Sequence, residues 1–385
     1  MDRRDRGRRE FAGLMGVPTD AALAEVRARS PQLYDGMVDS AGALTNAELG
    51  RADRELATVA MLAALGGAEP QLAVHVRVAL RQGRTPEELL ALCEHVALYA
   101  GYPRALNALA VVDAVLTEAG IARPAALRPV TLSDHETVVA EHGAAGPAVL
   151  LVHSLGVDWR MWEPVAARLA VGRRVFAYDL RGHGRAAGAP AAGGMAELGA
   201  DLLGVLDALG LERAHLVGLS LGGAIAQTAA VVYPDRVASL ALLGAPDHPL
   251  PEAFEARARA AETEGMAAQI APTLTRWFTP EALAEDLPGV RYARERIRRF
   301  DPADWAATWR AYRSLDVRGR VDGHRLPTLV LAGERDAAAG PEFMAGVAAR
   351  IPGSVYRELP GTPHMQSLER PDQVTAVLAD FLPKS

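Results

Sequence analysis

This chain of 385 residues has almost no cysteine or lysine and no long apolar run. Cys93 is its single cysteine, so no intrachain disulfide can form, and we expect a reducing compartment such as the cytoplasm. Because no apolar run reaches about 18 residues, we expect no membrane span. The basic start MDRRDRGRRE is followed by no apolar stretch, so we expect no secretory signal there.

An excess of positive charge is also missing. The net charge is −6 at pH 7 and the isoelectric point is near 6.0, which argues against nucleic acid or an anionic membrane as a partner. Half of the residues are hydrophobic and 23% are charged, as in a protein with a well-formed core. The length suffices for two domains.

Residues 21–119 repeat apolar side chains at three-to-four spacing in helix after helix. The segment Thr85-Pro86-Glu87-Glu88 is a strong helix start, with Thr85 as N-cap, Pro86 in the first turn and Glu88 closing a capping box. Since no strand pattern interrupts this region, we predict an all-α domain over residues 1–120.

The pattern changes after a Pro- and Ala-rich segment at residues 121–128, which we predict to be a linker. From residue 129 to 385, short apolar runs rich in β-branched residues alternate with helical patterns, as in a parallel sheet covered on both faces. Residues 250–320 interrupt this alternation with helical sequence. We expect them to form a cap over the strand ends, where ligands bind.

The stretch GLSLG, residues 218–222, has the pattern G-x-S-x-G between an apolar strand and a helix. Such a strand-to-helix turn holds the serine exposed, and the small neighbours permit the tight backbone. The helix N-terminus behind it would stabilise a developing oxyanion. We therefore predict that Ser220 is a nucleophile.

A serine hydroxyl needs a base, and the base needs an orienting acid. Asp336 follows a later strand, and His364 lies in the loop after the next one, so both side chains can converge on Ser220. Glu334 is an alternative acid, although Asp336 has the better position at the turn. The oxyanion hole would use the backbone N–H groups of Leu155 and Leu221.

Three segments, HSLGVDWRMWEPVAARLAVGRRVFAYDLRGHG, GLSLGG and GTPHMQSLERP, resemble the α/β-hydrolase family, and specifically 3-oxoadipate enol-lactonases. The resemblance covers nearly all of residues 129–385 and implies hydrolysis of a lactone or ester through an acyl-enzyme. Arg160 would pair with a substrate carboxylate or with a surface acid, since a guanidinium suits either. Trp162 would line the pocket or belong to the core, and Trp277 of the cap would line the pocket. His153 stands where these lactonases tend to have Asn.

A second candidate site lies in the helical domain. His75 and His95 are each ten residues from Thr85, on either side of a turn. On adjacent antiparallel helices they would have the same height and could face one another, with Glu55 of the preceding helix beside them. Such a group can move protons at neutral pH. The alternative is that the two histidines are hydrogen-bonded structural residues.

Residues 50–118, and above all VHVRVAL, TPEEL, HVALYAG and ALNAL, resemble the carboxymuconolactone decarboxylase family. The resemblance implies decarboxylation of a carboxymuconolactone-like acid without a cofactor, because the conjugated lactone accepts the electrons. It also implies a homo-oligomer formed through this domain. Ala43 stands where the decarboxylases carry a glutamate. We expect neither a cofactor nor a metal.

The sequence leads to a bifunctional enzyme that decarboxylates a carboxymuconolactone-like acid and then hydrolyses the enol-lactone. Two alternatives stay open. The hydrolase alone could be active, with the helical domain as an oligomerising scaffold. Both domains could instead serve a biosynthetic pathway, with decarboxylation, hydrolysis or cyclisation of a larger substrate under the divergent cap.

Overall fold

The computed structural model describes residues 2–44, 49–119, 121, 125–143 and 145–383. The chain divides into two compact units, Met1–Pro124 and Ala125–Ser385. Within the described ranges, no helix has both the length and the apolar character that crossing a bilayer requires.

The first unit is all helical, as predicted. In its described part the helices are α1 (Arg3–Met15), α2 (Thr19–Ala22), α3 (Ala24–Arg29), α4 (Pro31–Leu44), α5 (Arg51–Leu65), α6 (Glu69–Arg81), α7 (Pro86–Ala100) and α8 (Tyr102–Glu118). Helices α5 to α8 enclose an apolar core that contains Val59, Val76, Leu89 and Val112.

The start of α7 shows how local sequence sets a helix boundary. The Thr85 hydroxyl accepts a hydrogen bond from the Glu88 N–H at 3.2 Å, and the Glu88 carboxylate accepts one from the Thr85 N–H at 2.9 Å. This is the predicted capping box, with Pro86 in the first turn. Farther along α7, burial and the charges of Asp113 and Glu94 raise the pKa of the Cys93 thiol to about 11, so Cys93 is an unreactive core residue.

The second unit is built on a sheet of eight strands in its described part, in the order β1-β2-β4-β3-β5-β6-β7-β8. The strands are β1 (Ala126–Thr131), β2 (Glu136–His142), β3 (Ala148–Val152), β4 (Arg174–Tyr178), β5 (Ala214–Leu219), β6 (Val237–Leu243), β7 (Thr328–Gly333) and β8 (Val355–Leu359). Strands β3 to β8 are parallel, whereas β2 pairs antiparallel with both β1 and β4. Strand β3 is buried along its whole length, as expected for a sheet covered on both faces.

Helices cover this sheet and cap it. Those in the sheet layers are α9 (Glu163–Leu169), α10 (Met195–Ala208), α11 (Leu221–Val232), α17 (Pro341–Ala349), α18 (Gln366–Glu369) and α19 (Pro371–Phe381). The cap comprises α12 (Pro251–Glu264), α13 (Met266–Trp277), α14 (Pro280–Ala284), α15 (Pro288–Arg298) and α16 (Pro302–Tyr312). The cap helices lie between β6 and β7, inside the predicted range of 250–320.

The predicted linker at residues 121–128 is wrong at its C-terminal end. Strand β1 begins at Ala126, and residues 126–131 pair in register with β2. The Pro- and Ala-rich composition favoured a linker. A strand at the edge of a sheet tolerates proline, however, because the N–H donor that proline lacks is needed only in an inner strand. Residues 122–124 of the same segment lie outside the described residues.

Candidate active site

Ser220 occupies the sharp turn between β5 and α11. Its backbone has φ 54° and ψ −116°, a conformation that residues with side chains rarely adopt. The Ser220 N–H donates to the carbonyl oxygen of Leu243 at 2.9 Å, which ties the turn to the end of β6. This is the geometry of a nucleophile elbow, which holds a serine hydroxyl at the carboxyl edge of the sheet.

The glycines around Ser220 are sterically required. A Cβ on Gly222 would lie 2.1 Å from the carbonyl oxygen of Val152, and one on Gly218 would lie 2.4 Å from the backbone of Gly222. A Cβ on Gly223 would lie 2.4 Å from that of Ala245. The first turn of α11 therefore packs directly against the ends of β3 and β5, and only glycine permits this approach.

Asp336 and His364 form a buried ion pair at the same edge of the sheet. His364 Nδ1 and Asp336 Oδ2 are 2.8 Å apart, and Asp336 Oδ1 accepts hydrogen bonds from the N–H groups of Ala338 and Ala339 at 2.7 and 2.8 Å. Burial raises the pKa of Asp336, but His364 and these donors outweigh it, so the pKa lies below its ordinary value. Asp336 is therefore an anion that holds the His364 imidazole in place.

Glu334, the alternative acid, does not take this position. Its carboxylate is exposed and accepts a hydrogen bond from the N–H of Gly361. Gly244 shows instead how closely Asp336 and His364 meet the end of β6. A Cβ on Gly244 would lie 2.8 Å from Asp336 Oδ2 and 3.2 Å from His364 Nδ1.

Ser220 and His364 both line one cavity beneath the cap. It contains about 620 Å³ of space between the atoms, its mouth included, and its lining includes both of these residues and Leu155. The cap contributes residues from α12, α13 and α16. Met365 N–H donates to the carbonyl oxygen of Trp277 at 2.9 Å, which attaches the His364 loop to α13. The carboxyl ends of the strands are where proteins with such a sheet bind their ligands.

Two backbone N–H groups are available for an oxyanion beside Ser220. Leu221 is the first residue of α11, so its N–H has no acceptor within the helix. Leu155 lies in the loop after β3, and in the described part of the chain its N–H donates to no backbone or side-chain group. The close packing of Gly222 on Val152 brings this loop to the helix N-terminus. The arrangement fits an oxyanion hole.

Two buried histidines shape the oxyanion loop. Nε2 of His153 accepts the N–H of Leu180 at 2.9 Å, and Nε2 of His183 accepts the N–H of Gly156 at 3.2 Å. Their Nδ1 atoms lie 2.8 and 2.9 Å from the carbonyl oxygens of Ser154 and Arg181, so each ring donates there and is neutral. Burial lowers the pKa of His153 to about 4 and that of His183 to about 3. His153 is therefore a structural residue of the loop.

The helical unit holds only part of its predicted site. Glu55 is buried, and its Oε2 lies 2.7 Å from Nδ1 of His75. His95 is exposed, and its one aromatic neighbour in the described residues is Tyr99 at 5.1 Å between ring centroids. Ala43 lies in α4, but its side chain is outside the part that the structure describes.

The predicted pairing of His75 with His95 is wrong because their helices do not pack side by side. Helix α6 packs on α5 and α8, and α7 packs on the same two helices, but α6 and α7 make no extended contact. Equal distances from Thr85 bring two side chains together only when the two helices are neighbours. The structure thus leaves Glu55 and His75 as a pair without His95.

Comparisons with known proteins follow the same division of the chain. Residues 147–371 match the model of the alpha/beta hydrolase fold family. The chain belongs to the α/β-hydrolase family. Residues 31–114 match the carboxymuconolactone decarboxylase family, so this hydrolase carries a decarboxylase-like helical domain at its N-terminal end.

The relatives of the hydrolase domain include lactonases and an esterase. The 3-oxoadipate enol-lactonase 1 of Acinetobacter baylyi is 32% identical over 243 residues, which are 61% of this chain and 88% of the relative. The crystal structure of the enol-lactonase of Burkholderia xenovorans is 32% identical with a TM-score of 0.62, covering 66% of this chain and 99% of the other. A thermophilic esterase of Thermogutta terrifontis, with malate bound, is 27% identical with a TM-score of 0.61, covering 66% and 97%.

For Arg160 and Trp162, which the sequence left open between a substrate contact and another role, the structure shows the other role. Arg160 pairs with Asp158 at 3.1 Å, packs over the ring of Trp159 and lines a different surface depression. Trp162 is fully buried in the core. The local motif S-L-G-x-D-x-R-M-W thus stabilises its own turn, because Asp158 also caps that turn by accepting the Arg160 N–H. Trp277 does line the Ser220 cavity, as predicted.

Four cap residues of the hydrolase cavity are missing from the sequence prediction. Arg257 of α12, Arg276 of α13, and Trp309 and Tyr312 of α16 all line it. Arginine occurs on four of the five cap helices, so its presence alone does not separate these two from the surface ones. A four-residue spacing does place Phe254 and Ala258 on the buried face of α12 and leaves Arg257 at its border.

Proposed function

We propose that this hydrolase uses Ser220 to open an enol-lactone or a related ester, giving a 3-oxoadipate-like product. The observation that carries the proposal is the Asp336–His364 pair, 2.8 Å apart, at the cavity that exposes Ser220. The similarity to enol-lactonases of two genera supports a lactone as substrate.

The proposed mechanism has two chemical steps. His364 takes the Ser220 proton as the hydroxyl oxygen attacks the lactone carbonyl, while Asp336 stabilises the imidazolium. The N–H groups of Leu155 and Leu221 bind the oxyanion. His364 then returns the proton to the leaving oxygen, and the acyl-enzyme forms. A water molecule activated by His364 releases the acid and restores Ser220.

A second activity, decarboxylation in the helical domain, has one specific observation in its favour. A buried carboxylate, Glu55, holds His75 at 2.7 Å, and His75 is partly exposed. Such a pair can deliver a proton to the carbanion-like intermediate that loss of carbon dioxide leaves. The match to the carboxymuconolactone decarboxylase family supports the same assignment. The two activities together would make the protein bifunctional.

Oligomerisation through the helical domain stays a prediction. Leu98, Tyr99, Tyr102 and Leu106 are exposed apolar side chains of α7 and α8, and such a surface suits packing against a second copy. Light scattering on the purified protein measures its oligomeric state. A cytoplasmic location is likewise a prediction, and it rests on the absence of a possible intrachain disulfide.

The test is a reciprocal pair of variants in the full chain. With 4-carboxymuconolactone, the native protein should release carbon dioxide and form 3-oxoadipate. Ser220→Ala should still release carbon dioxide but accumulate the enol-lactone, whereas His75→Ala should release none but still hydrolyse preformed enol-lactone. If neither product forms from the native protein, the bifunctional assignment is wrong.

The two alternatives give different results in the same experiment. A protein in which only the hydrolase is active would hydrolyse the enol-lactone and leave 4-carboxymuconolactone untouched. An enzyme for a larger biosynthetic substrate would turn over neither compound. The guanidinium groups of Arg257 and Arg276 in the cavity favour a small anionic substrate over a large apolar one.

A further inference from the structure

The oxyanion loop, residues 153–159, is held from the sheet side at two of its backbone N–H groups. The N–H of Gly156 donates to Nε2 of His183 at 3.2 Å. The N–H of Trp159 donates to Oδ1 of the buried Asp179 at 3.0 Å. Both acceptors follow strand β4 in the chain. The sheet layer therefore fixes the loop at two points.

Asp158 of the same loop is held from the other side, by the cap. Its side chain is only 1% exposed, and two residues of cap helix α15 reach it. Tyr292 Oη accepts the Asp158 N–H at 3.1 Å and donates to Asp158 Oδ1 at 2.8 Å. Arg296 Nη1 lies 2.9 Å from Asp158 Oδ2. The cap thus binds both the backbone and the carboxylate of Asp158.

The spacing of residues in α15 explains why two of its side chains reach one carboxylate. Tyr292 and Arg296 are four residues apart, so they project from the same side of the helix, one turn from each other. Ala293 and Ile297, which follow them, are buried in the core of the hydrolase domain. This side of α15 is therefore fixed on the domain and can serve as an anchor.

The Asp158 carboxylate needs these partners, because a buried charge is costly unless it is paired and hydrogen-bonded. Arg160 of its own turn supplies a backbone N–H at 3.0 Å and a guanidinium N–H at 3.1 Å. The cap supplies Tyr292 and Arg296. Burial and the Asp158 charge raise the pKa of Tyr292 well above its ordinary value, so at neutral pH the phenol is protonated and donates to Asp158.

The anchors lie close to the N–H group that the reaction would use. Leu155 is one residue from Gly156 and three from Asp158, and in the described chain its N–H donates to no backbone or side-chain group. The rings of Trp277 and Trp305 in the cap leave no room for a Cβ on Gly156. A misplacement of about 1 Å at a reacting group costs about 100-fold in rate, so these anchors bear directly on catalysis.

We propose that Asp158 is a positioning residue: by binding Tyr292 and Arg296 of the cap, it holds the oxyanion loop so that the Leu155 N–H is aimed at the oxyanion. The proposal rests on Ser220 being the nucleophile, as proposed above, and gives the cap a catalytic role beyond enclosing the cavity. Asp158 and its two cap partners are absent from the described lining of that cavity, so they act through the loop.

The test measures the turnover of 4-nitrophenyl acetate by the full chain and its inhibition by phenylboronic acid. The boron atom accepts the Ser220 oxygen while the serine proton passes to His364, and no bond of the inhibitor breaks. The adduct is a tetrahedral anion with a boron-bound oxygen where the oxyanion would be. Its inhibition constant therefore reports on the oxyanion hole without depending on a rate.

Variants on the two sides of the contact assign the effect. Tyr292→Phe and Arg296→Gln should each lower kcat by roughly fivefold to fiftyfold, and Asp158→Asn by roughly tenfold to hundredfold, with a smaller change in KM. The inhibition constant of phenylboronic acid should rise by a similar factor in each variant. Arg298→Gln is the matched control, because Arg298 lies on the same helix but pairs with Glu295. It should leave both quantities unchanged.

The possible failures are distinct. If Tyr292→Phe and Arg296→Gln lower the melting temperature but keep the native kcat and inhibition constant, the contacts serve only the fold and the proposal is wrong. It is also wrong if KM rises while kcat stays native, because α15 would then act on substrate binding. Should Asp158→Asn unfold, Tyr292→Phe still decides, since it keeps the ring and removes one oxygen. Undiminished cleavage by Ser220→Ala would refute the proposed function instead.

Discussion

The backbone N–H of Gly156 donates to Nε2 of His183 at 3.2 Å, so a neutral, fully buried histidine holds the loop that carries one side of the oxyanion hole. Gly156 itself has φ +83°, and a Cβ there would lie 2.7 Å from the ring of Trp305 in the cap. The loop therefore depends on contacts from the sheet side and from the cap. Its shape is a property of the assembled hydrolase domain.

His183→Leu should lower kcat by roughly tenfold to hundredfold with a smaller change in KM, because the N–H of Leu155 would lose its alignment on the oxyanion. The variant removes the acceptor for the Gly156 N–H and also destabilises the fold. His183→Gln should recover part of kcat, since its amide oxygen can accept the same bond. Steady-state kinetics on a 4-nitrophenyl ester measures both. Equal kcat values in the Leu variant and the native protein would contradict this role for His183.

Acid should destabilise the hydrolase domain through His153 and His183. Burial lowers the pKa of His153 to about 4. Burial, and then the nearness of His153, lower that of His183 to about 3, while the pKa of an unfolded histidine is about 6.5. Between these values the unfolded chain binds more protons, so the free energy of unfolding falls as pH falls, by about 1.4 kcal/mol per pH unit for each histidine. Above the unfolded pKa the effect is absent.

Urea unfolding at pH 7.5, 6 and 5 measures this dependence. The variant His183→Gln lacks one of the two buried imidazoles. Its free energy of unfolding should therefore fall less between pH 6 and 5 than that of the native protein. Carboxylates contribute equally to both proteins, so the difference isolates the histidine. Parallel curves would show that His183 does not carry the effect.

The acid of the proposed triad is decided by comparing two carboxylates. Asp336→Asn should lower kcat by about 10³- to 10⁴-fold, because the amide cannot stabilise the imidazolium and favours the wrong tautomer of His364. Glu334→Gln should leave kcat within about twofold, since Glu334 is exposed and only accepts the Gly361 N–H. If Glu334→Gln lowers kcat more than Asp336→Asn does, then Glu334 is the acid that orients His364.

The sequence was most informative where function depends on contiguous residues. The segment Gly218–Gly223 predicted its own turn. A Cβ on any of its glycines would clash with atoms a few residues away or at the end of an adjacent strand, so only glycine fits there. Asp336 and His364 were also predictable, because the carboxyl ends of parallel strands meet at one edge of the sheet. In the helical domain, Glu55 and His75 belong to α5 and α6, which are neighbours both in sequence and in space.

Predictions failed where tertiary packing decides. His75 and His95 were aligned by helical rise alone, which cannot tell whether α6 and α7 touch. Arg257 and Arg276 were not selected, because what distinguishes them within the described residues is the lack of a carboxylate at ion-pair distance, whereas Arg259 and Arg294 each have one.

Gly222→Ala should abolish soluble expression or lower stability by several kcal/mol, because the new methyl group would lie 2.1 Å from the carbonyl oxygen of Val152. Gly346→Ala is a matched control in helix α17. Its methyl group would meet only the movable end of Arg350 at 3.4 Å, and alanine favours a helix interior over glycine by about 1 kcal/mol. Chemical unfolding should therefore rank the control at or above the native protein. Equal stability of the two variants would contradict the packing at the elbow.

Tyr312 offers a test that separates stability from substrate binding. Its Oη is buried without a hydrogen-bond partner of normal geometry, so the free protein loses no well-formed bond when the oxygen is removed. Tyr312→Phe should keep the melting temperature or raise it slightly, while kcat/KM for a carboxylate-bearing ester falls roughly tenfold because the donor is absent from the complex. Phe254→Ala is the contrasting variant: its ring stacks on Tyr312 with centroids 4.6 Å apart, and its loss should lower the melting temperature. A Tyr312→Phe protein that is clearly less stable, yet equally active on the ester, would show that the hydroxyl serves the fold and leaves the substrate untouched.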